Sequence, residues 1–224
     1  MTLHTIKVDQ GTEEWLAARR GIVTASVVGK LLTPTLKVAD NDTSRGLTEA
    51  LIAERITGWT EDTPTNADMW RGTVSEPFAR DVYSAHYQQV EEVGFMLRQE
   101  DGWQLGFSPD GVVGMDGLIE IKAPRAKTHL RTILADEVPA AYMPQLQAGL
   151  LVSGRAWIDF VSYVGGMPLW VKRVTPDRDW FDAITAACIA FEGTAARTLA
   201  DYQERVTGLP QTERISLDNL GLVF

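Results

Sequence analysis

Up to Gln89 the apolar residues recur at helical intervals, and beyond it at the alternating interval of strands. The chain therefore opens with helices. Thr12 is placed to cap a short helix with Glu13 and Glu14 in its first turn, Trp15 and Leu16 on its apolar side, and Arg19-Arg20 before a stop at Gly21. Thr24 is expected to cap a second helix, Ala25 to Leu32, closely followed by Pro34, and Thr33 to Ser44 reads as loop. Leu47, Leu51, Ile52 and Ile56 predict a third helix from Leu47 to Thr57, ended by Gly58, with Thr60 to Asn66 as a connector. Met69, Trp70, Val74, Phe78, Val82 and Tyr83 predict a long helix to about Tyr87, with a kink or a new first turn at Pro77 because proline removes a helical hydrogen bond.

The second half switches period. Val90 to Leu97, Trp103 to Ser108, Gly111 to Val113 and Leu118 to Ile121 read as strands, separated by turn signals at Asp101-Gly102, Pro109-Asp110-Gly111 and Asp116-Gly117. The expectation is an antiparallel meander. A helix from Tyr142 to Val152, strands Ala156 to Val164 and Leu169 to Val174 around Gly165-Gly166, and a terminal helix Trp180 to Arg205 complete the order. Helices, hairpins, helix, strands and helix make an α/β or α+β sheet flanked by helices.

Composition narrows the class. The 224 residues are 45% hydrophobic, enough for one sizeable core and a single domain over residues 1–224, and no apolar run reaches the length of a membrane span. The first residues lack a basic region followed by an apolar segment, so no secretory signal is visible and the cytosol is the expected location. The single cysteine, Cys188, excludes an internal disulfide and a four-cysteine zinc site and reads as core in an apolar helix. The histidines His4, His86 and His129 form no spaced ligand set, and a lone histidine such as His129 reads first as structural.

The net charge of -9 argues against a generic nucleic-acid coat, yet the charge is segregated. Lys122, Arg125, Lys127, His129 and Arg131 follow one another with no acid between them, whereas the last third carries Asp177, Asp179, Asp182, Glu192, Asp201 and Glu204. Arg125, Lys127 and Arg131 read either as a phosphate track or as a solvated helix face.

The chemistry concentrates in Leu118-Ile119-Glu120-Ile121-Lys122. Strand alternation puts Glu120 and Lys122 on one face, and hairpin pairing through Asp116-Gly117 brings Asp110 to them. Two carboxylates and a lysine suit Mg²⁺ or Mn²⁺ ligation and the steadying of an attacking hydroxide or a phosphate oxygen, which is phosphodiester hydrolysis machinery. The same trio also reads as a surface Glu/Lys pair on an edge strand beside a turn aspartate.

Three segments bear on that choice. Ser108-Pro109-Asp110-Gly111 followed by Glu120-Ile121-Lys122-Ala123-Pro124 resembles the PD-(D/E)XK nuclease motif. Arg71-Gly72-Thr73-Val74-Ser75-Glu76-Pro77 is similar to the helix of that superfamily that donates a further acidic ligand. Trp15 to Ser26, with its Trp, Arg, Gly and Thr-Ala-Ser series, and Ala141 to Gln147 resemble the YqaJ-like viral recombinases, the family of phage lambda exonuclease, in the expected order.

The resemblance implies a restriction-endonuclease-like PD-(D/E)XK core of about residues 67–174. It implies DNA-end-binding helices in residues 11–58 and a terminal helix of about residues 177–205 with a tail. It implies that Asp110, Glu120, the Ile121 carbonyl and Glu76 hold two Mg²⁺ ions, with Mn²⁺ as the substitute, and that Lys122 orients the attacking water with Gln145 beside it. It implies that Arg19 and Ser26 grip a 5′-phosphate, an assignment that slips to Arg20 if the register shifts by one. Ordinary charge complementation at a helix C-terminus is the alternative for Arg19. The wider pattern has a tyrosine four residues after the glutamine, where this chain has Gly149.

The implied activity is that of a 5′-to-3′ exonuclease on double-stranded DNA ends that releases mononucleotides and leaves 3′ tails. The implied setting is a homotrimeric ring with a single-strand annealing protein as partner, encoded by a phage or prophage in a bacterial host. A structure-specific or restriction-type endonuclease with the same metal core, and a non-catalytic DNA-binding recombination accessory protein, are the rivals.

Overall fold

A computed structural model describes residues 2–61 and 66–214. Its strands are β1 (Thr2–Ile6), β2 (Phe95–Glu100), β3 (Trp103–Phe107), β4 (Gly111–Val113), β5 (Gly117–Lys122), β6 (Trp157–Ser162) and β7 (Trp170–Val174). Its helices are α1 (Glu13–Arg19), α2 (Ala25–Val28), α3 (Asp42–Thr57), α4 (Ala67–His86), α5 (Ala126–Ala135), α6 (Met143–Ser153) and α7 (Arg178–Arg205), with 3₁₀ turns at Gly29–Leu31 and Ala140–Tyr142.

The expected meander divides in two. β1, β2 and β3 form one antiparallel sheet, and β4, β5, β6 and β7 form another, so β3 and β4 do not pair although only Ser108, Pro109 and Asp110 separate them. The break has a local cause. Pro109 offers no N–H to a ladder, its carbonyl accepts from Gln10, and the Asp110 carbonyl accepts from Arg80. A bridge between Glu91 and Val112 ties the segment before β2 to β4 instead.

β5 and β6 are parallel, which requires a long crossover. α5 and α6 supply it. Leu118, Ile158 and Phe160 face the larger core with Leu146, Leu150, Phe107 and Ile184, while Ile119, Ile121 and Val161 face a smaller one with Ala79 and Tyr83 of α4. The sheet is therefore covered on both faces. Tyr83 donates its hydroxyl to Asp159 at 2.7 Å, and Arg173 forks onto the same carboxylate, fixing α4 against β6 and β7.

Helix ends differ from expectation where the first turn is polar. α3 begins at Asp42 rather than Leu47, because Asn41 and Ser44 form a reciprocal capping box ahead of the apolar repeat. Thr24 is not a hydrogen-bonding cap: its hydroxyl lies 3.1 Å from that of Ser26. α2 is correspondingly short and tightens into a 3₁₀ turn. α4 runs through Pro77 with no new first turn, held by the Asn66 cap and by burial of Ala79 and Tyr83. Among the described residues, no helix is long and apolar enough to cross a membrane.

Candidate active site

The site is built where β4 meets β5. Gly111 pairs with Ile119, so Asp110, the preceding residue, falls opposite Glu120. Its Oδ2 accepts from the Ile121 N–H at 2.6 Å, which turns the carboxylate across the strand toward Glu120 and Lys122. Lys122 donates to Glu120 Oε1 at 2.6 Å, as strand alternation requires. Gln145, in the first turns of α6, donates to the same oxygen at 2.6 Å. Glu120 Oε2 is buried and, among the described residues, has no hydrogen-bond partner.

That asymmetry defines the electrostatics. Burial, with Glu120 and Glu76 nearby, raises the Asp110 carboxyl well above its ordinary value, against the pull of Lys122 and the Ile121 N–H. Burial works against the Lys122 charge, but Glu120 and Asp110 outweigh it and hold the ammonium above its ordinary value. Lys122 is thus a firm cation lying 5.6 Å from the centre of the Tyr142 ring.

Glu76 approaches from α4, in the other layer. Burial raises its carboxyl, opposed by Arg80, which donates to Oε1. Among the described residues, no group of three or more acidic, histidine or cysteine side chains stands gathered at metal-ligand spacing. Asp110 and Glu120 come together, whereas Glu76 is held on Arg80. The donor set still fits a hard divalent cation, since Glu120 presents a buried, unpartnered oxygen beside a second buried carboxylate. Bound there, such a cation lends Lewis acidity to a phosphoryl oxygen.

A cavity of about 180 Å³ is lined by Asp110, Glu120, Lys122 and Gln145 on one side and by Trp15, Arg19, Ser26 and Ser108 on the other. Arg19, not Arg20, reaches it; Arg20 turns to Glu13 at 3.5 Å. The Arg19 guanidinium stacks 3.8 Å from the Trp15 ring centre, and its bonds to Thr24 and Ser26 are long, 3.4 and 3.5 Å. Among the described residues it makes no ion pair, so its fork remains available to an anion. Gly21 holds this corner together: its φ is +64°, a Cβ there would meet Arg55 Cγ at 2.5 Å, and its N–H and carbonyl bond Glu54 and Arg55 of α3.

The basic track separates. Arg125 lines a second cavity, about 490 Å³, with Asp68, Arg71, Glu76, Asp110 and Lys122, and pairs with Asp68 at 3.2 Å. Lys127 and Arg131 are exposed on α5 and line neither cavity. His129 is core: its ring nitrogens bond Ser162 at 2.7 Å and the Pro168 carbonyl at 3.0 Å. Cys188 is buried as expected. Gly149 has a packing reason, because a Cβ there would stand 2.8 Å from the Phe107 ring.

Three further side chains reach the site without a role there assigned from the sequence. Trp15 donates its indole N–H to Ser108 at 2.8 Å, joining α1 to the loop that carries Asp110. Arg80 stands one turn after Glu76, and that spacing was its available signal. Arg71 donates to the Ala123 carbonyl at 3.1 Å, a contact no local pattern announces.

The model of the YqaJ-like viral recombinase domain matches residues 14–156, which include Arg19, Ser26, Glu76, Asp110, Glu120, Lys122 and Gln145. The chain belongs to that family. An alkaline exonuclease from Laribacter hongkongensis is 35% identical, with 89% of this chain and 100% of that one covered at a TM-score of 0.79. The structure of the same enzyme in complex with dAMP gives 0.78 at the same identity and coverage. A phage related exonuclease from Haemophilus somnus 129PT, 13% identical, covers 81% of this chain and 96% of that one at a TM-score of 0.59, a likeness of fold. No curated protein matches significantly. The PD-(D/E)XK nuclease fold expected from the sequence is thus present, and membership in this family supports a DNA exonuclease function.

Proposed function

We propose that this YqaJ-family protein is a Mg²⁺-dependent exonuclease that enters double-stranded DNA at an end, removes mononucleotides from the 5′-terminated strand and leaves a 3′ tail. The observation that carries this reading is the one-sided saturation of Glu120. Lys122 and Gln145 occupy Oε1 while Oε2 stays buried and open beside Asp110. The available Arg19 fork closes the same cavity.

Each residue then has a role. Asp110, Glu120 and the Ile121 carbonyl would hold two Mg²⁺ ions, or Mn²⁺ in their place, with Glu76 contributing to one of them. Lys122 positions the attacking water against phosphorus by donating from Nζ, and the Gln145 amide steadies the nucleophile or the scissile phosphate. Arg19 and Ser26 hold the terminal 5′-phosphate, so the bond that reaches Lys122 is set by distance from the end. The Laribacter hongkongensis enzyme bound to dAMP, a mononucleotide, agrees with release of single nucleotides. Arg125, Lys127 and Arg131 would track the backbone of the incoming duplex. A ring of three copies around DNA, working with a single-strand annealing protein, is part of the same reading. The exposed Trp70 and Phe78 of α4 provide apolar surface of the kind such contacts bury.

The test is digestion of linear and covalently closed circular duplex, with Mg²⁺ or with chelator, using 5′- and 3′-labelled strands. Mg²⁺-dependent release of 5′-labelled mononucleotide from the linear form alone is expected. Cleavage of the closed circle at a comparable rate would identify an endonuclease.

A further inference from the structure

Arg80 uses its guanidinium in three directions. Nε donates to the Asp110 carbonyl at 3.1 Å, one terminal nitrogen donates to Glu76 Oε1, and the other pairs with Glu92 at 2.6 Å. The Arg80 side chain is only 13% exposed, whereas that of Glu92 is 74% exposed. Two of its three acceptors therefore lie on the inner side, on separate elements: Glu76 on α4 and Asp110 on the loop before β4.

Charge points the same way. Lys122 sits on Glu120, at one end of the three carboxylates, and of the cations that share a cavity with Glu76 and Asp110, namely Lys7, Arg71, Arg80, Lys122 and Arg125, Arg80 alone bonds Glu76 among the described residues. Arg80 is the cation at that end. Its charge is permanent, and its planar fork bonds a carboxylate and a carbonyl at once, which an ammonium cannot do in fixed geometry. With Oε1 of Glu76 taken, Oε2 is left for a ligand.

Resting on the reading of Glu76 and Asp110 as cation ligands, we infer that Arg80 is a positioning residue that ties Glu76 to the Asp110 backbone and sets how far apart two carboxylates from different layers meet a divalent cation. Its three acceptors are all protein groups, so it acts through Glu76 and the Asp110 backbone. It keeps Glu76 from swinging into solvent and opposes the repulsion between Glu76 and the other two acids.

The experiment titrates Mn²⁺ into DNA-free protein by calorimetry, beside thermal melting, for native protein, Arg80→Lys, Arg80→Ala and Glu92→Ala. Both Arg80 variants are expected to bind Mn²⁺ about tenfold more weakly, the scale found when a ligand's supporting hydrogen bond is removed. Arg80→Lys should melt close to native, and Glu92→Ala should bind as native because Arg80 retains its two inner acceptors. In digestion assays the half-saturating Mg²⁺ should rise by the same factor, with the rate recovering at high Mg²⁺. Native-like Mn²⁺ affinity in a folded Arg80→Lys variant overturns the inference and leaves the proposed function intact. Native protein that takes up no Mn²⁺ removes the metal reading of the site, and this inference with it.

Discussion

Lys122 donates to Glu120 Oε1 at 2.6 Å from two residues along the same strand, so the ammonium and the carboxylate are held by the pleat itself. The pair needs no loop to form. The ammonium is therefore carried by the four-stranded sheet rather than by a loop.

Lys122→Ala follows directly. The variant should lose turnover on linear duplex by at least about a hundredfold, the scale of removing one positioned donor from a charged transition state. It should retain the circular dichroism of the native chain, because Lys122 lies at the open end of β5 and outside both cores. A variant with native turnover would remove Lys122 from the reaction.

In the proposed function Arg19 serves a different step. Arg19→Ala should lower the rate on 5′-phosphorylated ends toward that on 5′-hydroxyl ends, with the Mg²⁺ dependence unchanged. Side-by-side digestion of the two ends measures this. Equal rates on both ends in native protein would remove the proposed role.

How much of this is legible before folding depends on the range of the interaction. Asp110, Glu120 and Lys122 can be read as a group because Asp116-Gly117 closes a short hairpin and alternation does the rest. β1 cannot, since its residues are mostly exposed and its partner, β2, lies some ninety positions away in sequence. The separation of β3 from β4 depends on Gln10, in the turn before α1, and Arg80 of α4, which bond the carbonyls of Pro109 and Asp110 from far along the chain. The parallel pairing of β5 with β6 depends on a crossover rather than on any turn. Glu76 shows the same limit at the site: its motif marks the residue, while the hold of Arg80 on it is a tertiary fact.

Gly149 provides a packing test. Gly149→Ala places a Cβ 2.8 Å from a buried Phe107 ring inside α6 and should cost about 1–3 kcal/mol, despite alanine's better helix propensity. Chemical denaturation reads the change. A stabilised variant would show that the ring yields freely.

Cys188 tests the buried side of α7. Burial pushes its thiol up to about 12 from 9.0, so the folded chain keeps a proton that the unfolded chain loses first. Its contribution to stability is therefore intact below pH 9.0 and declines as pH rises toward 12. Alkylation at pH 8 should be slow in native protein and fast in denaturant. Rapid alkylation of folded protein would contradict the placement of Cys188 in the core.

The most direct measurement for the account as a whole is a manganese-soaked crystal with anomalous scattering. A peak within bonding distance of Asp110 and Glu120 Oε2, with Lys122 and Gln145 still on Oε1, is the predicted result. No peak there, together with Glu120 Oε2 bonded to another protein group, would contradict the metal site on which the proposed chemistry depends.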